Sequence, residues 1–217
     1  VVNGAHRELG QQLCNQLSER GSTCLHIDGV SGEAADEQLD DYLQAGNVDG
    51  LYWLVGLDSE PPFPEMDAAE WQTIHQQRLY TLFGIMRRLY DHIEAQGTFF
   101  VCATAMGGLF GFDTGGAENP AGGAIAGFAK AYQRERPQAM VKIVDFSAQF
   151  DAEVVVAALL EETQYDAQVL EVGRLDDQRY SIGLRDEELK FDREAGLHLG
   201  PESVCLITGA CGGITSK

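Results

Sequence analysis

Asp49-Gly50-Leu51-Tyr52-Trp53-Leu54-Val55-Gly56-Leu57 is apolar along nearly its whole length, with no polar residue at alternate positions. A strand with one wet face alternates. One that does not alternate needs cover on both faces, the condition of a parallel sheet sandwiched by helices. Thr98–Ala103 (TFFVCA) reads as a second buried strand, and Met140–Phe146 (MVKIVDF) as a third. Amphipathic stretches separate them. Arg7–Arg20 places Leu9, Leu13 and Leu17 on one stripe and stops at Gly21. Thr23–Ile27 is the next strand, and Gly32–Gly46 an acidic helix or loop whose charges form a solvated face. After a proline-rich loop at 60–65, the longest helix starts at Asp67 as N-cap and runs toward Gly97. Its stripe of Trp71, Ile74, Leu79, Leu82, Met86, Leu89 and Ile93 is spaced by threes and fours, with a single interval of five. His75 and His92, on this helix, are expected as surface or packing residues. Further helices are expected over 119–136 and 151–163, the latter turning Val154, Val155, Ala158 and Leu159 inward. A terminal strand at 169–172 and a hairpin partner at 179–184 complete the unit. Regular strand–helix alternation of this kind builds an α/β fold, a Rossmann-like doubly wound parallel sheet.

Composition narrows function before any motif does. The 217-residue chain carries a net charge of −19, a surface that repels phosphate backbones and anionic lipid, so nucleic-acid and membrane partners are excluded. No apolar run reaches the roughly 20 residues a membrane span needs, and no secretory signal pattern opens the sequence. Cys14, Cys24, Cys102, Cys205 and Cys211 are odd in number and scattered. They are therefore expected as small core residues in a reducing cytoplasm, with neither a disulfide framework nor a zinc site.

The strongest motif comes last. Ser203–Ile207 (SVCLI) reads as a strand running into Thr208-Gly209-Ala210-Cys211-Gly212-Gly213-Ile214. Glycines directly after a buried strand let the backbone turn tightly and approach a pyrophosphate at the mouth of the following helix. Thr208, Gly209, Gly212, Gly213 and Ile214 are the cofactor-binding candidates. That helix is not expected within 1–217, so this stretch by itself should hold a dinucleotide poorly. The first turn, Gly4-Ala5-His6-Arg7-Glu8-Leu9-Gly10, has two glycines where a dinucleotide fingerprint needs three at tighter spacing. Asp28 stands after the second strand, where a ribose-binding acid belongs, but a lone acid at a strand end is more often a turn residue. The expected division is a Rossmann-like unit over 1–184, a linker over 185–201 and the opening of a second unit over 202–217.

The order of elements over 1–184 resembles the short-chain dehydrogenase/reductase fold in truncated form. Phe99–Gly108 (FFVCATAMGG) resembles the strand ending at that family's catalytic serine, and Pro120–Lys130 (PAGGAIAGFAK) the helix bearing its Tyr-x-x-x-Lys pair. Alignment on Gly127 places Glu118 at the tyrosine, Gly122 at the lysine, and Ala103-Thr104 at the serine. In that family the tyrosine hydroxyl donates a proton while the lysine lowers its pKa and holds the ribose. Glu118 offers no phenol and Gly122 no charge, Tyr132 lies several turns beyond, and Lys130 is a solvated helix residue. No catalytic residue is assigned to 1–217.

A reductase-like unit without its active site, followed by Thr-Gly-x-x-Gly-Gly-Ile-Thr, resembles the ketoreductase domain of multidomain polyketide and polyunsaturated fatty acid synthases. There a silent structural subdomain precedes the catalytic one. The resemblance implies NADPH as cofactor, a catalytic subdomain in the same polypeptide, and an acyl carrier protein bearing a β-ketoacyl group. Two alternatives stay open: an autonomous short-chain reductase using acid chemistry at Glu118 with a pocket shaped by the 107–116 loop, and a non-enzymatic interaction module.

Overall fold

The computed structural model describes residues 2–4, 6–28, 33–184, 186 and 199–206. The chain groups into two compact units, Val1–Ile182 and Gly183–Lys217.

The first unit is built on a seven-stranded sheet: β1 (Val2–Gly4), β2 (His26–Asp28), β3 (Gly50–Gly56), β4 (Phe99–Thr104), β5 (Met140–Phe146), β6 (Glu171–Leu175) and β7 (Gln178–Ser181). Their order is β2-β1-β3-β4-β5-β6-β7, parallel through β6 and closed by an antiparallel β6–β7 hairpin. Among the described residues, six α-helices connect the strands: α1 (Arg7–Glu19), α2 (Glu33–Ala45), α3 (Ala68–His75), α4 (Thr81–Arg88), α5 (Gly122–Glu135) and α6 (Ala152–Gln164). Alternate residues of the buried strands feed two cores. Leu51, Trp53, Val55, Phe100, Cys102, Val141 and Ile143 pack on one face with Leu39, Leu82, Met86 and Ile125 of α2, α4 and α5. Tyr52, Leu54, Val101, Ala103 and Val144 pack on the other with Leu9 and Leu13 of α1 and Val155 and Leu159 of α6. Both faces of β3 are dry, which is why its sequence does not alternate.

The long helix departs from its expected course. Asp67 caps α3 in a reciprocal box with Glu70. Then Gln76–Tyr80 forms a π turn, in which the Thr81 amide and Oγ1 both donate to the Gln76 carbonyl five residues back. The five-residue interval between Ile74 and Leu79 is the trace of this turn in the sequence: one inserted residue shifts the apolar stripe by one position. Regular helix ends at Arg88, short of Gly97, and continues as turns that still bury Leu89 and Ile93.

Four further expectations are corrected. β2 occupies His26–Asp28 instead of 23–27, because only those residues lie opposite Val2–Gly4 on the ladder. Val154 is 58% exposed on the outer face of α6, while Val155, Ala158 and Leu159 face inward. Cys14 and Cys24 form a disulfide between α1 and the segment entering β2, so these two are not free core thiols; Cys102 is. A pair ten residues apart is invisible as a short-spacing motif, since the hairpin-like return from α1 to β2 is what brings it together. In the second unit, Ser203–Leu206 carries no strand, and Val204 and Leu206 are 97% and 94% exposed. A strand needs a ladder partner, and the described residues supply none there.

Candidate functional site

The sheet reverses direction of growth between β1 and β3, since the chain moves outward to β2 and then returns past β1. In open α/β sheets the crevice beyond the carboxyl ends of the strands at this point is where ligands bind. The residues after β3, β4 and β5 therefore decide what the unit can do, and each group of them is engaged by the protein itself.

Beyond β3, Arg78 is buried at 4% exposure and arises from the π turn. Its guanidinium donates to the Glu60 carboxylate, to the Asp58 carbonyl at 2.5 Å and to the Ser59 carbonyl at 3.3 Å. Glu60 is likewise enclosed. Its second oxygen accepts the Ala121 amide at 3.3 Å, and its own amide donates to Asn119 Oδ1 at 3.1 Å. The Asp58 carboxylate lies 3.3 Å from His6 Nε2, beside the residue that caps α1. Burial raises the Asp58 pKa, against the pull of His6 and Arg78.

Beyond β4 and β5, Thr104 and Asp145 are fully buried neighbours in register. Asp145 Oδ1 accepts the Thr104 hydroxyl and the Met106 amide, both at 2.7 Å, and Oδ2 accepts the Phe110 amide at 2.8 Å. Burial raises its pKa, while these hydrogen bonds hold it down. The glycine-rich stretch wraps this carboxylate. Gly107 and Gly108 adopt φ of 112° and 80°, and a Cβ at Gly108 would lie 2.5 Å from the Arg174 carbonyl, so only glycine lets the loop close. The start of the loop is thus folded around Asp145.

The positions matching the reductase motif are accounted for individually. Thr104, at the serine site, spends its proton on Asp145. Glu118, at the tyrosine site, is exposed and accepts the Ala148 amide at 2.8 Å. Gly122, at the lysine site, is closed by packing: a Cβ there would stand 2.8 Å from Met106 Cγ and 3.3 Å from Thr104 Cβ. Tyr132 donates to the Ile93 carbonyl at 2.5 Å, and burial pushes its pKa up to about 12. Lys130 is an exposed helix residue, as expected, and pairs with Glu171 at 2.9 Å across the surface. His75 Nδ1 pairs with the Trp71 carbonyl, and His92 Nδ1 accepts the Val48 amide. Among the described residues no cluster of metal-ligating side chains is present.

The mouth of α1 carries negative charge. A dinucleotide's pyrophosphate needs open amides and no competing anion there, where Asp58 flanks the N-cap and Glu8 occupies the first turn. Asp28 ends β2 opposite Gly4, and its side chain lies outside the described residues. So do Thr208, Gly209, Gly212, Gly213 and Ile214, together with most of the 185–201 segment. Sequence reasoning missed Arg78, Glu60, Asn119 and Asp145. Two signals could have found them: Arg78 is a cation inside the five-residue gap of an apolar stripe, and Asp145 an acid near the end of a buried strand.

No family model matches the chain, and no curated protein does. Solved structures match in fold. An alcohol dehydrogenase from the archaeon Thermococcus sibiricus, complexed with 5-hydroxy-NADP, is 15% identical over 86% of this chain and 87% of its own, with a TM-score of 0.58. A serine dehydrogenase from Escherichia coli is 14% identical over 82% of this chain and 98% of its own, also at 0.58. A short-chain dehydrogenase/reductase from Serratia marcescens is 14% identical over 74% and 86%, at 0.57. At such identities the likeness concerns architecture: the first unit has the Rossmann-like fold of the short-chain dehydrogenase/reductases.

Proposed function

We propose that residues 1–184 are the structural subdomain of a ketoreductase, and that the NADPH-dependent reduction of a β-ketoacyl group on an acyl carrier protein is carried out by a subdomain opening at 202–217. The parent would be a polyketide or polyunsaturated fatty acid synthase working in the cytoplasm. No described helix is long and apolar enough to cross a membrane. The observation that carries the proposal is the pair of closed positions on a reductase fold. A Cβ at Gly122 would already press on Met106 and Thr104, and the Thr104 hydroxyl is committed to Asp145. A proton relay needs a donor free to reach the carbonyl and a cation to hold it poised; here Glu118 stands at the donor's place and holds the Ala148 amide, and the cation's place is a glycine closed in by Met106 and Thr104. What remains is a rigid sheet that can brace a neighbour.

The test compares the 217-residue chain with the intact two-subdomain domain, following NADPH oxidation with a β-ketoacyl thioester. Turnover is expected from the domain and none from the chain. Turnover by the chain alone would sink the proposal and favour the autonomous reductase with Glu118 as acid.

A further inference from the structure

The end of β3 has the parts of an anion-binding site with its ligand in place. A lone buried guanidinium is expensive, and it persists only where a carboxylate and further acceptors complete it. Here the helix bends its own geometry to supply the cation: the π turn inserts one residue, and Arg78 sits within that turn. Opposite it, Glu60 reaches in from the loop ahead of Pro61-Pro62, with its side chain wholly shielded while the residues after it are exposed. A second donor comes from the Ala121 amide. Asn119, 4% exposed, holds the Glu60 backbone through Oδ1, and its Nδ2 has no partner among the described residues. The donors to the carboxylate are a cation and an amide, with a carboxamide accepting from the backbone of the loop behind it, arranged where this class of sheet receives ligands.

We infer that this is a built carboxylate-binding site at the switch point, whose resident ligand is the chain's own Glu60 side chain. Arg78 is its binding residue, Asn119 positions the loop that carries the ligand, and Glu60 stands in the crevice in place of an external group. The inference rests on the proposal above that residues 1–184 are a structural subdomain whose partner carries out the NADPH chemistry.

Chemical rescue tests it on the full 217-residue chain. E60A empties the site and strands Arg78, which should lower Tm by on the order of 10 °C. Sodium formate or acetate should restore at least half of that loss, with saturation, relative to sodium chloride at equal ionic strength. Phosphate, larger and tetrahedral, should restore less, and the double variant E60A/R78M should show no rescue. Equal effects of chloride and acetate, rescue that survives R78M, or an E60A Tm within about 1 °C of the parent would overturn the inference. Should E60A fail to fold, the wild-type chain still decides it. The Arg78 Nη–H resonances, which carry its hydrogen bonds, should exchange slowly with water if the pair is clamped, and rapid exchange would refute the clamp. Titration of the wild-type chain with NADPH separates the two claims. Micromolar binding defeats the scaffold proposal, whereas failed rescue without NADPH binding defeats this inference alone.

Discussion

Replacing Glu162 by Gln should expose how much of the scaffold's stability is electrostatic. Glu162 is buried on α6 and meets three cations: Lys142 Nζ of β5 at 2.8 Å, Arg174 of β6, and Arg179 Nε of β7 at 2.7 Å. Lys142 is fully buried, and its ammonium also donates to the Tyr165 carbonyl at 2.5 Å. Burial acts to raise the Glu162 pKa, but the hydrogen bonds from Arg179, Lys142 and Arg174 outweigh it and bring it from 4.5 to about 2. A depressed folded-state pKa contributes stability that is present above 4.5 and lost as pH falls toward 2. At 1.36 kcal/mol per pH unit this amounts to about 3 kcal/mol at neutral pH. E162Q also strands Lys142, so the loss at pH 7 should be about 3–5 kcal/mol. Urea denaturation of both proteins from pH 7 to pH 3 checks the sign: the gap between them should narrow by about 2 kcal/mol on acidification. A gap that stays constant with pH, or one under about 1 kcal/mol at pH 7, would refute the reasoning.

Two further perturbations follow from local geometry. G127A adds a methyl to open space in the middle of α5 and should raise stability by about 0.5–1 kcal/mol, whereas G122A drives a methyl against Met106 and Thr104 and should lower it by about 1–3 kcal/mol; paired thermal melts read the difference in sign. Reducing the Cys14–Cys24 bridge, which closes a loop spanning ten residue steps, should remove about 3 kcal/mol and lower Tm by about 5–10 °C. A melt in the presence of a strong reductant that leaves Tm unchanged would show that the bridge is not formed in solution.

The fold was legible wherever one interaction dominates. Unbroken apolar runs at β3 and β4 could only be doubly covered strands, and β5 begins and ends at Met140 and Phe146 as its sequence suggests. Asp67 and Asp151 announce helix starts because a short carboxylate is the natural acceptor for free first-turn amides. The site was legible only as losses. That Gly122 and Glu118 depart from the reductase pattern is visible in one dimension, but what fills the vacated space is not. Arg78, Glu60 and Asn119 are distant in sequence, and their meeting depends on a π turn and on the path of the β3–α3 loop. Likewise, Val154 and Val155 are equally apolar, and only the packing of α6 against the sheet sends one outward and the other in. Propensity does not distinguish neighbours of the same kind.

The most direct measurement is equilibrium binding of NADPH to the 217-residue chain, followed by the change in nicotinamide fluorescence at physiological salt. With Asp58 beside the mouth of α1 and the Arg78–Glu60 pair in the crevice, no saturable signal should develop below millimolar cofactor. A hyperbolic titration with a Kd in the micromolar range, abolished by changes beside Thr104, would contradict the claim that this sheet is a scaffold.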